Sequence, residues 1–407
     1  MTRKNNYPIV LVHGFAGWGR DEVLGMPYWG GISEDFEEIL NDNGYETYTA
    51  TVSPFASNWD RACELYAYIK GGTVDYGKYH SEKYGHSRYG RTYSGVYPQL
   101  GEVNPQTGEI NKIHLLSHSM GGQTVRVFAQ LLEVASQEEI EAVLGKNATE
   151  EDIKMAIDKK ELSPLFVGNN SFVHSVTSIS TPHDGTTLTY GVMGIVPYAQ
   201  QIIGLVAAQA GIYDKPVYDF KLDQWNLKMN PDESYMDYVE RVFNSNIWSD
   251  TKDISAWDLS PDGAKELNSW VDAQPNIYYF SWSTEETKEG IITGNHYPEI
   301  GMSPMLVPFS IHMGRYTQDV EGKVEIDKKW FQNDGVVNTI SMNGPKIGSK
   351  DEIVKYNKYN KDVPKGKWNH MGILDSVDHE EIVGVGTVLK KGEWYKEYAQ
   401  FLGRLSK

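Results

Sequence analysis

A serine flanked by small residues follows an apolar strand pattern and could act as a catalytic nucleophile. Residues 117–122 read Ser-His-Ser-Met-Gly-Gly, after an apolar run at residues 113–116 and before a helical pattern. A strand that runs straight into a helix must turn sharply, so the turn residue takes a strained backbone conformation that needs small neighbours two positions away. Ser117 and Gly121 meet this condition for Ser119. The pattern is typical of a nucleophile elbow, although an ordinary strand–turn–helix with closely packed glycines would also fit.

A serine nucleophile also needs N–H donors for the oxyanion that forms during attack. A helix that begins at Met120 would direct its free backbone N–H groups at the serine. A second glycine-rich segment, His-Gly-Phe-Ala-Gly-Trp-Gly at residues 13–19, follows the first apolar strand. It lacks the lysine and the serine or threonine of a nucleotide-binding loop, so further oxyanion donors are the better interpretation.

The serine hydroxyl must be activated by an imidazole base, which a carboxylate orients. Six of the 11 histidines follow the serine in the chain: His174, His183, His296, His312, His370 and His379. His174 lies inside a predicted strand, and His183 ends a strand before any candidate acid has appeared. His379 stands in a polar loop near the C-terminus, where the base is expected. Asp334, in an Asn-Asp-Gly turn, has the right place in the order for the acid.

Apolar strand patterns alternate with helical patterns along the chain, which favours an α/β fold with a mostly parallel central sheet and helices on both faces. We predict strands at residues 7–15, 45–52, 113–116, 172–180, 276–283 and 335–341. We predict helices at residues 33–44, 58–70, 120–132, 138–161, 195–206, 232–243, 261–271 and 391–405. The first of these helices has Ser33 as its predicted N-cap. Residues 71–98, rich in Gly, Tyr and His, predict a long irregular excursion.

Composition sets limits on the partners and on the compartment. The 407 residues can bury a large core in one elaborated domain or two. A net charge of −17, from 38 basic and 55 acidic residues, argues against nucleic acid and anionic membranes as partners. Cys63 is the only cysteine, so no internal disulfide is expected. Neither a signal peptide nor a spanning helix is predicted, and we expect an intracellular protein or a mature form with an added Met1.

The stretch from residue 185 to residue 213 contains no charged side chain. Within it, a helical spacing joins six apolar residues: Ile195, Tyr198, Ala199, Ile202, Ile203 and Val206. A buried core helix is one interpretation, and a mobile cover over an apolar site is another. A membrane span is disfavoured, because glycines, a proline and glutamines interrupt the stretch.

Ten distinctive stretches are spread in sequence over nearly the whole chain: HGFAGWG, PYWGG, SNWDRACELYAY, GGTVDYG, GHSRYGRTY, SHSMGGQT, TPHDGTTL, YDFKLDQW, NDGVVNT and VDHEEIVG. In these the chain resembles the large secreted triacylglycerol lipases of Gram-positive bacteria, the thermoalkalophilic bacillary and staphylococcal group of the α/β-hydrolase superfamily. The resemblance implies Ser119 as nucleophile, Asp334 as acid and His379 as base, with Phe15 and Met120 as backbone oxyanion donors. The family usually has Gln after the serine, and Met120 changes only the side chain.

The resemblance also implies a zinc ion held by two aspartates and two histidines, which match Asp60, His80, His86 and Asp253. Nitrogen and oxygen ligands in a closed set of four suit a structural zinc. Such a site would tether the excursion at residues 71–98 to the segment around residues 248–257. From spacing alone this signal is weak, because the ligands are scattered.

The family's calcium site is only partly matched. It implies a backbone oxygen at Gly301 and a carboxylate at Glu381, but its aspartate falls on Gly386 and its last backbone oxygen on Thr387. Calcium takes six to eight oxygens and gains affinity from ligand charge. With one carboxylate assured, we predict no tightly held calcium.

We therefore expect a single α/β-hydrolase domain over residues 1–407, with a zinc-binding insertion at about residues 57–98, completed by residues 245–258, and a helical lid at about residues 185–216. The expected reaction is ester hydrolysis through an acyl-enzyme, by a triacylglycerol lipase at lipid–water interfaces. A carboxylesterase or polyesterase, a peptidase, and a non-catalytic binding protein of the same fold are the alternatives. The expected partner is a lipid or ester, met transiently through the lid, with no obligate protein partner. By resemblance the protein is expected to be secreted.

Overall fold

The computed structural model describes residues 4–191, 194–210, 218–359 and 362–406, with the backbone alone for residues 205–210. The strands in the described residues are β1 (Ile9–Val12), β2 (Thr47–Thr49), β3 (Gly72–Asp75), β4 (Tyr89–Tyr93), β5 (Ile113–His118), β6 (Val173–Ile179), β7 (Tyr278–Glu285), β8 (Thr287–Glu289), β9 (His296–Pro298), β10 (Ile353–Lys355) and β11 (Trp368–Asp375). The helices there are α1 (Phe36–Asp42), α2 (Asn58–Lys70), α3 (Lys78–Tyr84), α4 (Met120–Glu133), α5 (Gln137–Leu144), α6 (Glu150–Asp158), α7 (Ile195–Ala210), α8 (Tyr235–Phe243), α9 (Ile247–Asp250), α10 (Ser255–Asp258), α11 (Pro261–Asn268), α12 (Val307–Met313) and α13 (Gly392–Leu402).

Seven strands form one central sheet in the order β10-β11-β7-β6-β5-β1-β2. Every pairing described within it is parallel. The strand carboxyl ends therefore lie along one edge, where the following loops can bring side chains together. The prediction of an α/β fold with a mostly parallel sheet is confirmed. The division into one domain with two insertions stays a prediction.

The two faces of the sheet carry separate hydrophobic cores. Ile9 and Leu11 of β1 belong to one core, which also takes in α1 and α13. Val10 and Val12 belong to the other, with α2 and α4. Alternate residues of a strand point to opposite faces, so this division places helices on both sides of the sheet.

Two predicted segments have a different structure. Residues 71–98 are not irregular, because they contain the antiparallel β3–β4 hairpin and helix α3. Residues 335–341 do not form a strand, because the N–H groups of Val336 and Val337 donate to the Asp334 side chain. A short 3₁₀ turn, Thr339–Ser341, follows instead.

Local details at α1 and at the sheet edge also correct the sequence-based expectations. The N-cap of α1 is Asp35, whose side chain accepts the Glu38 N–H at 3.1 Å, whereas Ser33 donates its hydroxyl to the Thr387 carbonyl. Strands β10 and β11 were not predicted. β11 has mixed polarity and an irregular register between His370 and Gly372, which hides its alternation.

No helix in the described parts of the chain is long and apolar enough to cross a membrane.

Candidate active site and metal cluster

Ser119 lies in the sharp turn between β5 and α4, with φ 55° and ψ −133°. It is the strained backbone conformation that the small-residue pattern predicts. A Cβ atom on Gly14 would approach the Ser119 Cβ to 2.5 Å, and one on Gly121 would approach the Val12 carbonyl oxygen to 2.4 Å. Because real Cβ atoms do not come so close, only glycine fits at either position. The turn thus holds the serine hydroxyl at the carboxyl edge of the sheet.

Asp334 and His379 form a buried pair. The Nδ1 atom of His379 lies 2.7 Å from Asp334 Oδ2, with 2% and 0% of the two side chains exposed. The same carboxylate oxygen accepts a hydrogen bond from the Thr284 hydroxyl at 2.7 Å. The other oxygen, Oδ1, accepts the N–H groups of Val336 and Val337 at 3.1 and 2.8 Å. These bonds fix the carboxylate, and through it the imidazole.

The charges of the pair favour an imidazole that can take up a proton. Burial lowers the pKa of His379, but the charge and the hydrogen bond of Asp334 outweigh it and raise the pKa above its usual value. With Nδ1 held by the carboxylate, Nε2 is left for a nucleophile. The His379 ring centroid lies 4.6 Å from that of His118, the residue that precedes Ser119. The structure therefore brings the acid, the imidazole and the serine turn to one place.

A neutral histidine and a tyrosine support the turn, and sequence reasoning missed both. The Tyr28 hydroxyl lies 2.6 Å from His118 Nδ1 and accepts the Gly14 N–H at 3.3 Å. Burial, and then the charge of His379, hold the pKa of His118 well below its usual value. His118 could have been suspected from its place beside Ser119, and Tyr28 lies in the PYWGG stretch, which by itself gives it no specific role.

Two backbone N–H groups are suited to an oxyanion. Met120 is the first residue of α4, where N–H groups have no partner within the helix. Phe15 follows Gly14 in the loop that contacts Ser119. Among the described residues, neither the Phe15 N–H nor the Met120 N–H has a hydrogen-bond acceptor. An ester oxygen near the serine could accept both.

The other two histidines that were weighed as bases take up core positions. His174 lies in β6 and is 3% exposed. His183 places its ring 4.5 Å from that of Trp368 and its Nε2 2.9 Å from the Ser178 hydroxyl. Its pKa is held well below the usual value, chiefly by burial. His183 is therefore a packed, neutral side chain in this structure.

Helix α7 covers the loop that carries Phe15. One face of it is buried in the same core as Phe15 and Met120: Ile195, Tyr198, Ala199, Ile202 and Ile203. The Tyr198 ring stacks on Phe15 at 6.2 Å and meets Phe309 edge-on at 5.6 Å. Its hydroxyl donates to the Glu380 carboxylate, next to His379. Of the predicted lid, residues 192–193 and 211–216 lie outside the described residues, as does the side chain of Val206.

Asp60, His80, His86 and Asp253 converge into one group, in which all four ligand atoms lie within 4.8 Å of one another. Asp253 lies 3.0 Å from His80 Nε2 and 3.1 Å from His86 Nε2. Three atoms of the group are buried without a hydrogen-bond partner: Asp60 Oδ1, His86 Nε2 and Asp253 Oδ2. Buried nitrogen and oxygen atoms that converge without well-aligned hydrogen bonds are the arrangement that a cation satisfies through their lone pairs. The residues therefore fit a metal ion with two nitrogen and two oxygen ligands.

Neighbouring residues orient these ligands. The Gln224 amide donates to Asp60 Oδ2 at 2.8 Å, and His86 Nδ1 lies 2.9 Å from the Ser87 carbonyl oxygen. Burial, and then the charge of Asp253, raise the pKa of the Asp60 carboxyl, so a cation between the two carboxylates would be stabilising. The four ligands come from α2, α3 and two loops, and a metal would join these elements.

The residues matched to a calcium site have other partners. Glu381 Oε1 forms an ion pair with Lys391 Nζ at 2.6 Å. The Thr387 carbonyl accepts the Ser33 hydroxyl at 3.3 Å. A Cβ atom on Gly301 would lie 2.3 Å from Glu286 Oε1, a buried carboxylate that the sequence did not single out. The expectation of no tightly held calcium stays a prediction.

A family model, curated relatives and solved structures all match nearly the whole of this chain. The family described as "Lipase-like, C-terminal domain" matches residues 5–406. The chain is 39% identical over 385 residues to Lipase 1 of Staphylococcus aureus. The alignment covers 94% of this chain and 51% of that protein. It thus spans about half the length of the curated relatives it matches. Two similar solved structures are EstA from Clostridium botulinum, with 50% identity, TM-score 0.88 and coverage of 99% and 88% of the two chains, and lipase 1 from Pelosinus fermentans, with 53% identity, TM-score 0.87 and coverage of 99% and 100%.

Proposed function

The chain belongs to the family of lipase-like C-terminal domains, as its resemblance to Gram-positive lipases predicts, and from that premise we propose that it is a carboxylic ester hydrolase. The observation that carries this proposal is the buried Asp334–His379 pair beside the strained turn at Ser119. A triacylglycerol lipase is the proposed form of the activity. Similar proteins carry the name lipase, and the similarity of this chain to them supports the choice.

In the proposed reaction, His379 Nε2 takes the proton of the Ser119 hydroxyl as its oxygen attacks the ester carbonyl carbon. The carbonyl oxygen becomes an oxyanion and accepts hydrogen bonds from the backbone N–H groups of Phe15 and Met120. The intermediate then collapses, and the alcohol leaves with the proton from His379. Water, deprotonated by the same imidazole, attacks the acyl-enzyme and releases the acid. Asp334 keeps the imidazole in the correct tautomer and stabilises its charged form.

We further propose that α7 is a lid. Its buried face packs on the side chain of Phe15, whose backbone N–H is a proposed oxyanion donor, so the helix lies over the loop that carries that donor. The hydroxyl of Tyr198 is bonded to Glu380, beside the proposed base, which holds the helix down at one point. Opening would expose the apolar face of α7 at a cost of roughly 25 cal/mol per Å². A lipid interface would remove that cost and favour the open state.

For the metal group we propose a structural zinc. Imidazole nitrogens and carboxylate oxygens in a set of four are ligands that zinc accepts, and four protein ligands leave no open position for catalysis. Asp60 and His80 would hold the ion from α2 and α3, with His86 and Asp253 from the loops. The ion would supply a cross-link between these elements, and the proposed ester chemistry needs no step there.

The proposal is tested with Ser119→Ala and a series of p-nitrophenyl esters of increasing acyl length, with and without emulsified triglyceride. Loss of a serine nucleophile should lower kcat by on the order of 10⁶ while the melting temperature is kept. His183→Ala serves as the matched histidine control for His379→Ala. If Ser119→Ala kept more than a small fraction of the activity, or if His183→Ala were the damaging change, the assignment would be wrong.

The same ester series separates the lipase from the second candidate, a carboxylesterase. One of the similar structures is titled EstA, and a preference for short, soluble esters without gain from an emulsion would favour the esterase. A preference for long acyl chains that rises with emulsified substrate would favour the lipase.

A further inference from the structure

A short hairpin beyond the end of β7 holds apolar side chains entirely in solvent. Strands β8 and β9 pair antiparallel, and the turn between them carries Ile291 and Ile292, with exposures of 102% and 98%. Ile300, just after β9, is 106% exposed. Single apolar side chains on a surface are common, but two adjacent, fully exposed isoleucines in one turn, with a third just after the hairpin, are less usual and suit an interaction surface.

The tip of this hairpin is held in a defined shape. The Gly290 N–H donates to the Asn295 carbonyl at 2.7 Å, and the Gly294 N–H donates to the Gly290 carbonyl at 2.9 Å. The Tyr297 ring packs so closely on Gly290 that a Cβ atom there would lie 2.7 Å from it. The isoleucines therefore stand out from an ordered turn, and binding through them would need little further ordering.

The base of the hairpin is joined to the candidate active site. The Glu286 N–H donates to the Asn333 carbonyl at 3.1 Å, and the Asn333 N–H donates to the Thr287 hydroxyl at 3.3 Å. Asn333 immediately precedes Asp334. The hairpin also leaves the sheet at the carboxyl end of β7, the edge at which Ser119 follows β5. The base of the hairpin therefore lies at the same edge of the sheet as the Ser119 turn.

A second exposed apolar group lies on other loops of the same edge. Ile32, after the end of β1, is 67% exposed, and Val388 and Leu389, after the end of β11, are 77% and 54% exposed. The two loops are joined by the hydrogen bond from the Ser33 hydroxyl to the Thr387 carbonyl. Apolar contacts on several loops of one edge suit an extended surface better than a small ligand.

Charges of both signs lie around the hairpin, including Lys328 near Gly294, so the net charge of the chain decides between kinds of surface. Lys288 is paired with Glu299 at 2.9 Å, and Glu285 lies in contact with Asp375 at the base. With a net charge of −17 for the whole chain, an anionic membrane would be repelled. An uncharged ester surface would accept the isoleucines without that penalty.

We infer that Ile291, Ile292 and Ile300 anchor the protein on the surface of an uncharged ester aggregate, such as a neutral lipid droplet, and hold the Ser119 edge against it. The choice of an ester surface rests on the proposed function. The anchor itself is separate from α7 and acts whether or not that helix moves.

The test measures binding of the Ser119→Ala protein to triolein droplets stabilised with phosphatidylcholine, by flotation. Ile291→Ser with Ile292→Ser should lower the partition coefficient by at least about tenfold, since even partial burial of two isoleucines contributes that much. Val103→Ser with Ile110→Ser is the matched control, because these side chains are 64% and 41% exposed and precede β5, at the opposite edge of the sheet. The control should bind as the parent does, and phosphatidylglycerol in the droplets should weaken binding.

A fluorescent label reports contact at the tip directly. Cys63 is buried and is the only natural cysteine, so Ile292→Cys can be labelled selectively with an environment-sensitive dye. Its emission should shift to the blue on droplets, and the same dye on Val103→Cys should not respond.

Equal binding of the isoleucine variant and its parent, or a label at position 292 that does not respond, would overturn the inference. So would a change from dimer to monomer on substitution with droplet binding unchanged, because the tip would then join two copies of this chain. Since binding is measured on Ser119→Ala, these outcomes are independent of catalysis. Wild-type protein that binds droplets but hydrolyses no ester would instead refute the proposed function.

Discussion

Replacing Tyr198 with phenylalanine removes the hydroxyl that joins α7 to Glu380 and keeps the ring that packs on Phe15 and Phe309. Both partners of the lost hydrogen bond are buried, at 3% and 5% exposure. A hydrogen bond to a charged group contributes about 1.5–3 kcal/mol. If the bond exists only while α7 is closed, its loss should raise the ratio of open to closed molecules roughly 10- to 150-fold.

The assay is kcat/KM for a short soluble p-nitrophenyl ester in water, with and without a non-denaturing detergent. Activity without detergent should rise in Tyr198→Phe, because the open fraction limits it, and activation by detergent should fall by the same factor. The experiment therefore reads the position of α7 and not only the stability of the protein.

Tyr76→Phe is the matched control for this experiment. The Tyr76 hydroxyl donates to Glu64 Oε1 at 2.9 Å, and both side chains are 3% exposed. This bond links β3–α3 to α2 and does not involve α7. Both variants should lose thermal stability, but only Tyr198→Phe should change the activation ratio. If Tyr198→Phe lowered the melting temperature and left the ratio unchanged, the bond would be part of the core packing, and its proposed role in holding α7 closed would be refuted.

Asp334→Asn should lower kcat by on the order of 10⁴, because the imidazole loses the partner that holds its tautomer. Burial lowers the pKa of His379, but Asp334 outweighs burial and raises the pKa above its usual value. Because catalysis needs the neutral imidazole, wild-type kcat/KM should rise as pH rises through that raised pKa, and the acid limb of the Asp334→Asn pH–rate profile should move to lower pH. Elemental analysis should find stoichiometric zinc, and chelation or His86→Ala should lower the melting temperature before the rate at low temperature; a metal-free protein with an unchanged melting temperature would exclude the structural role. Ile202→Ser with Ile203→Ser should reduce hydrolysis of emulsified esters far more than of soluble ones, and equal loss with a collapsed melting temperature would place α7 in the core.

The turn at Ser119 could be predicted closely because its causes are local. The steric need for small residues acts two positions from the serine, and apolar periodicity defines the strand before it and the helix after it. Helix α2 was predicted with its observed bounds for a similar reason, since Ser57 caps it and Gly71 ends it. Where alternation is interrupted, as at Gly372 in β11, the local pattern failed.

The four residues of the metal group could be predicted from the resemblance but not from their spacing in the sequence. Its four residues are scattered over α2, α3 and two loops, and no periodicity connects them. The resemblance identified them, and the fold, in which β3 and β4 pack against α2, brings their ligand atoms together. The identity of the ion is a matter for elemental analysis.

By itself, the sequence determined the serine turn, the alternation of strands and helices, and the order of candidate acid and base. It also identified an uncharged stretch whose apolar helix face must be buried. Only the tertiary structure decided that Asp334 meets His379 at 2.7 Å, that Tyr198 bonds to Glu380, and that Ile291 and its neighbour stay in solvent. The physical reason is the range of the interactions. Backbone sterics and side-chain periodicity act over a few residues, whereas contacts between distant residues depend on how the whole chain packs.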